Sequence, residues 1–154
     1  MAHRISRYKV SVIREASSIF NYSPKIRGSF DAKEWCKDAL KDYAQEIQEH
    51  FIVVALDTQK KPIGYSVITI GTLDASLVHP REVFRYAIAQ SAASIILVHN
   101  HPSGHMKPSR EDFAVTNRLR QVGEVVGINI LDHIILGWNT EVEAISLGEE
   151  LDTI

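Results

Sequence analysis

The sequence predicts an α/β fold, a mixed β-sheet flanked by helices, on three observations. Short β-branched apolar runs of strand length recur at Phe51 to Leu56, Ile63 to Ile70, Ile95 to Val98 and Ile128 to Leu136. Longer stretches with apolar residues at helical spacing follow Pro80 and Ser109. Around Ile95 to Val98 the two kinds alternate, so the local order is strand, helix, strand. A chain of 154 residues falls in the usual range of one domain, and no internal linker is long enough to define a second.

Taken in order, Tyr8 to Ile13 alternates imperfectly and reads as an edge strand or a packed arm. Asn21 to Gly28, with Pro24 and Gly28, is a turn-rich linker. Residues 1–28 are therefore taken as a basic N-terminal arm and linker, and residues 29–154 as the folded domain. Asp31 is placed to cap a helix and Glu34 to complete the capping box. Trp35, Ala39, Leu40, Tyr43 and Ile47 form its apolar stripe, which predicts a helix to about Gln48. Phe51 to Leu56 is a strand, Asp57 to Pro62 a hairpin turn and Ile63 to Ile70 the returning strand. Pro80 opens a helix carrying Val83, Phe84, Ala87, Ile88 and Ala92, which leads into the buried strand Ile95 to Val98. Ser109 caps the next helix, with Glu111 and Asp112 in its first turn and Phe113, Thr116, Leu119 and Val122 on one side. Gly127 separates that helix from the run Ile128 to Leu136, and Gly137 to Thr140 turns the chain into Val142 to Leu147.

Composition narrows the function classes. Cys36 is the single cysteine, so an intrachain disulfide is excluded and a reducing, cytoplasmic setting is expected. Met1 to Lys9 is polar and basic with no apolar run behind it, which argues against a secretory signal. The longest apolar runs fall far short of the roughly 20 residues a membrane helix needs, so no membrane association is expected. With 17 basic and 19 acidic residues the formal charge is −2, and nothing global steers the chain toward a polyanion. Arg4, Arg7, Lys9, Arg14, Lys25 and Arg27 nevertheless make residues 1–28 basic, while the chain beyond residue 138 is acidic. No aromatic residues interleave with those basic ones in the manner that stacks bases, so weak or no direct nucleic-acid binding is expected.

The chemistry concentrates in Val98-His99-Asn100-His101-Pro102. Strand geometry puts His99 and His101 on one face, and Pro102 places His101 where strand becomes loop. Ser103 and Gly104 allow a tight turn, and Pro108 and Ser109 deliver the chain into a helix whose first turn holds Asp112. Two histidines and a carboxylate, with a fourth position left for water, form the donor set of catalytic zinc. The competing structural reading is two polar residues at a strand end beside a helix-capping aspartate. A hydrolase also needs a base, and Glu49, Glu34, Glu46 and Glu82 all lie near predicted element boundaries.

The segments Leu97-Val98-His99-Asn100-His101-Pro102-Ser103-Gly104 and Pro108-Ser109-Arg110-Glu111-Asp112 resemble the RadC family, a bacterial branch of the JAMM or MPN metalloprotease-like domains. Val78-His79-Pro80-Arg81-Glu82-Val83-Phe84 and Leu131-Asp132-His133-Ile134-Ile135-Leu136-Gly137 are similar to the same family, which extends the resemblance over residues 45–147. It implies a JAMM/MPN, cytidine-deaminase-like architecture and one zinc ion per chain on His99, His101 and Asp112. It assigns water activation to Glu49 and oxyanion stabilisation to Ser109. The implied activity is zinc-dependent hydrolysis of a peptide or isopeptide bond in a peptide or protein substrate. The alternatives are a DNA-repair-associated or DNA-processing protein using the same metal, and a non-catalytic metal-binding interaction domain. Longer family members carry a helix-hairpin-helix-like region before this domain. The residues before position 45 lack its glycine-containing hairpin pattern, so no DNA-reading element is expected in this chain. A homo-oligomer is left open. Of the other histidines, His133 is expected to make a structural hydrogen bond supporting the loop around His101, His105 to lie in the active-site loop, and His79 to belong to the start of the Pro80 helix.

Overall fold

The computed structural model describes residues 5–17, 19, 24–71 and 78–151. Its sheet runs in the order β2-β1-β3-β4-β5. The strands are β1 (Glu49–Leu56), β2 (Pro62–Gly71), β3 (Ser94–Asn100), β4 (Asn129–Leu136) and β5 (Ala144–Ser146). The helices are α1 (Ser29–Ala39), α2 (Lys41–Ala44), α3 (Pro80–Ala89), α4 (Arg110–Val126) and α5 (Leu147–Leu151). β1 is antiparallel to both β2 and β3, β3 is parallel to β4 across the α4 crossover, and β5 returns antiparallel to β4. The architecture is the mixed, helix-flanked sheet that the sequence predicts.

Helices cover both faces, which is why β1 and β3 read as unbroken apolar runs. On one face Ile52, Val54, Leu56, Ile96, Val98 and Ile134 pack against Trp35 and Cys36 of α1 and against Leu40. On the other, Phe51, Val53, Ala55, Ile95 and Leu97 pack against Phe84 of α3 and Val115 and Leu119 of α4. Each buried Val, Leu, Ile or Phe side chain among them contributes about 1.5–3 kcal/mol relative to exposure. Alternation then sorts the polar strand ends. Glu49 and His99 fall on the face of Phe51 and α4, and Asn100 falls on the face of α1 and α2.

The helix expected from Asp31 to Gln48 is corrected at both ends. Gly28 is the cap residue, and the Asp31 carboxylate instead accepts the Arg27 N–H at 2.9 Å. The helix breaks at Leu40 and α2 ends at Ala44, leaving Ile47 90% exposed. A distant side chain holds the backbone that follows α2. Asn100 Nδ2 donates to the carbonyls of Glu46 and Gln48, at 3.3 and 3.0 Å, and Asn100 Oδ1 accepts the His50 N–H at 2.7 Å. The Glu46 carbonyl and the His50 N–H would be partners in a continued helix, and Asn100 separates them.

The segment Tyr8 to Ile13 is neither strand nor packed arm: it forms no ladder, and Tyr8, Val10 and Ile13 are more than four-fifths exposed. Part of the Asn21 to Gly28 linker lies outside the described residues. Among the described residues, no helix is long and apolar enough to cross a membrane.

Candidate metal centre

β3 ends at Asn100, so His99 is a strand residue and His101 the first residue of the following loop, as its spacing before Pro102 predicts. The His101 N–H still bonds to the Leu136 carbonyl at 2.9 Å, which keeps the backbone alongside β4 for one residue more. The loop then closes on itself. Gly104 donates to the His101 carbonyl at 3.0 Å with φ of 73°, a left-handed conformation that favours glycine. His101 Nδ1 meets the His105 carbonyl at 2.7 Å. Since a carbonyl can only accept, Nδ1 carries the proton in that contact and Nε2 is aimed at the cluster. Met106 packs so closely over Gly137 that a Cβ there would collide with its sulfur.

Ser109 caps α4, and a complete capping box joins it to Asp112. Ser109 Oγ accepts the Asp112 N–H at 3.1 Å, and Asp112 Oδ2 accepts the Ser109 N–H at 2.7 Å. The capping role of Asp112 and a place in the cluster are therefore compatible. Oδ2 holds the cap, and Oδ1 lies 3.2 Å from His99 Nε2. His101 Nε2 lies 2.9 Å from His99 Nε2 and 3.6 Å from Asp112 Oδ2. His99 and Asp112 are buried to 0% and 1% side-chain exposure, and His101 to 12%.

These three residues form a cluster capable of coordinating a metal ion, their donor atoms all lying within 4.8 Å of one another. Two imidazole nitrogens and a carboxylate oxygen are borderline-soft and hard donors suited to zinc. Tetrahedral ligands about 2.0–2.2 Å from one ion lie roughly 3.3–3.6 Å apart; His99 Nε2 and Asp112 Oδ1 are near that separation at 3.2 Å, and the two Nε2 atoms are closer, at 2.9 Å.

The electrostatics match the geometry. Burial lowers the pKa of His99 below the ordinary 6.5, against the pull of Asp112. Burial also works on His101, but its hydrogen bonds to Asp112 and to the His105 carbonyl outweigh it and raise that pKa. Asp112 is likewise penalised by burial, yet the two histidines hold it well below the usual carboxylate range. The Glu49 charge acts on both His99 and His101.

Glu49 opens β1. Phe51 pairs with His99, so continuing that antiparallel register sets Glu49 across from His101, on the cluster's face of the sheet. Two of the other candidate carboxylates are engaged elsewhere. Glu34 pairs with Lys37 on α1 and Glu82 with Arg85 on α3, at 2.6 and 2.7 Å. Glu46 precedes the bend held by Asn100. His79 caps α3 by accepting the Arg81 N–H at 3.1 Å. His105 contributes its carbonyl to His101.

His133 supports the other histidine from the one expected. Its Nε2 lies 2.7 Å from His99 Nδ1, the nitrogen facing away from the cluster, and its Nδ1 lies 2.6 Å from Thr116 Oγ1. Phe51 stacks near-parallel to the His99 ring, at an interplanar angle of 14°. Sequence reasoning placed Thr116 among apolar helix positions and gave Asn100 no role. The spacing Asp112 to Thr116, one helical turn on the same face, is the signal that points to Thr116.

Residues 26–151 match the family described as a RadC-like JAB domain. The chain is 51% identical over 104 residues to a UPF0758 protein of Desulforamulus reducens, covering 68% of this chain and 46% of that protein. A UPF0758 protein of Chlorobaculum tepidum is 47% identical over 119 residues, 77% of this chain and 52% of the other. One from Caldanaerobacter subterraneus is 58% identical over 90 residues, 58% and 39% of the two chains. This chain thus spans about half the length of the curated relatives it matches.

Proposed function

We propose that this chain, which belongs to the RadC-like JAB domain family, is a zinc-dependent hydrolase of peptide or isopeptide bonds. The observation that carries the reading is the convergence of His99, His101 and Asp112 beside a glutamate whose charge acts on both rings. Bound there, zinc would polarise the scissile carbonyl and lower the pKa of an attacking water. Glu49 takes the proton from that water and returns it to the departing amine. Ser109 uses an oxygen lone pair in the cap, which leaves its hydroxyl proton to donate to the developing oxyanion. The capping box holds the Asp112 carboxylate in place, and the His105 carbonyl fixes the His101 ring.

A second reading, a metal-binding interaction domain without turnover, is favoured by the burial of the cluster, since His99 and Asp112 expose no more than 1% of their side chains. Turnover by zinc-verified protein on peptide, isopeptide-linked and DNA substrates separates the readings. Cleavage of an amide bond that is lost in Glu49→Gln supports the hydrolase. Zinc binding with no turnover on any of them supports the interaction domain, and metal-dependent DNA cleavage supports a DNA-processing role.

A further inference from the structure

We propose that Thr116 and His133 are positioning residues that fix the tautomer of His99, so that its Nε2 lone pair points at the metal. The inference rests on the metal-binding reading above and concerns residues outside the ligand set.

Thr116 Oγ1 lies 2.6 Å from the Asp112 carbonyl, which can only accept, so the single hydroxyl hydrogen goes there. The same oxygen lies 2.6 Å from His133 Nδ1. With its hydrogen committed, the hydroxyl can only accept from His133, and Nδ1 must carry the proton. A neutral His133 ring then leaves Nε2 as an acceptor, and its partner at 2.7 Å, His99 Nδ1, is the donor. His99 with its proton on Nδ1 presents an unprotonated Nε2, the nitrogen that faces His101 and Asp112. With His133 neutral, any other arrangement leaves two lone pairs or two protons facing each other at one of these three contacts, all shorter than 2.8 Å.

The relay begins and ends on the same ligand system. Asp112 supplies a carboxylate oxygen to the cluster through its side chain and terminates the chain of hydrogen bonds through its backbone carbonyl. Thr116 and His133 are 1% and 0% exposed, so water does not substitute for either partner. Fold topology explains the meeting. α4 carries Asp112 and Thr116 one turn apart, and β4 runs parallel to β3 with His133 paired to Leu97, two residues before His99 on the same face. The outer hydrogen bond of a histidine ligand sets its tautomer, and losing such a partner typically costs about 10- to 100-fold in metal affinity.

The test uses zinc alone as the probe on the full chain. Affinity is measured by competition with a chromophoric chelator for wild type, Thr116→Ser and Thr116→Val, and ¹⁵N–¹H correlation spectra of the zinc-free wild type assign the histidine tautomers, because zinc on Nε2 would by itself put the His99 proton on Nδ1. The serine variant, which keeps the hydroxyl, is expected to bind within about threefold of wild type, and the valine variant about 10- to 100-fold more weakly. The spectra should show protons on His133 Nδ1 and His99 Nδ1, a signature that simple packing would not set. Unchanged affinity in folded Thr116→Val, or a proton on His133 Nε2 in the wild type, would overturn the relay while leaving the metal site standing. If Thr116→Val does not fold, the wild-type tautomers alone decide. Failure of wild type to bind zinc would overturn the metal-binding reading and the relay together.

Discussion

Asn100 grips the backbone on either side of Glu49, accepting the His50 N–H at 2.7 Å and donating to the Gln48 carbonyl at 3.0 Å. The residue between the two histidines of the cluster thereby sets where the neighbouring carboxylate sits. Asn100 is 1% exposed, and Asn100→Ala leaves the buried His50 N–H without its partner, at a cost on the order of 1–3 kcal/mol, and strips the part-buried Glu46 and Gln48 carbonyls of theirs. We expect a loss of about 2–4 kcal/mol in urea unfolding, with zinc affinity changed far less than in His99→Ala. A loss below about 0.5 kcal/mol would show that the bend holds without Asn100.

Glu49→Gln keeps the side-chain shape and the three candidate ligands, and removes the proposed proton acceptor. On a confirmed amide substrate, single-turnover cleavage should fall by about 10²- to 10⁴-fold at unchanged zinc content. His99→Ala and Asp112→Ala should instead lose zinc and activity together. Near-normal cleavage by zinc-replete Glu49→Gln would remove Glu49 as the base.

The metal-free chain should lose stability on acidification. Burial holds the pKa of His133 well below 6.5 and also lowers that of His99, so below pH 6.5 the unfolded chain binds protons that the native state refuses. Each contributes a slope of up to about 1.4 kcal/mol per pH unit, with stability falling as pH drops from 6.5 toward the native values. His101 opposes them. Its raised pKa gives stability that is complete below 6.5 and lost as pH rises through its native value. With two groups against one, the urea midpoint of chelator-treated protein should be lower at pH 5 than at pH 7. A midpoint that rises on acidification would contradict the neutral assignments of His99 and His133.

Cys36 is fully buried on α1, and that burial pushes its thiol far above the ordinary value. A protonated, covered thiol is a poor nucleophile. Native protein at pH 8 should react with a thiol reagent about 100-fold or more slowly than urea-unfolded protein, and zinc should slow it further by suppressing unfolding. Equal native and unfolded rates would place Cys36 at the surface.

Local pattern made most of the architecture legible. The paired strands around Asp57 to Pro62, the Pro80 and Ser109 helices and the strand-to-loop position of His101 all follow from residues close in sequence. What escaped depends on contacts made across the chain. The Asp31 to Gln48 stripe is helical by periodicity, but the helix ends at Ala44, and Asn100, 50 to 54 residues away, binds backbone groups of Glu46 and His50 that a longer helix would pair with each other. The arm around Tyr8 alternates like a strand yet finds no ladder partner among the described residues. His133 was recognisable as a structural histidine, whereas its attachment to His99 rather than to the His101 loop depends on the parallel register of β3 and β4.

The central claim is that His99, His101 and Asp112 hold one catalytic-type zinc ion, and titration of chelator-stripped protein with zinc against a competing chromophoric chelator tests it most directly. The account predicts one tightly bound zinc per chain for the wild type and loss of that binding in His99→Ala and Asp112→Ala. Wild-type protein that stays empty in zinc-replete solution at pH 7.5, or variants that bind zinc as tightly as the wild type, would contradict it.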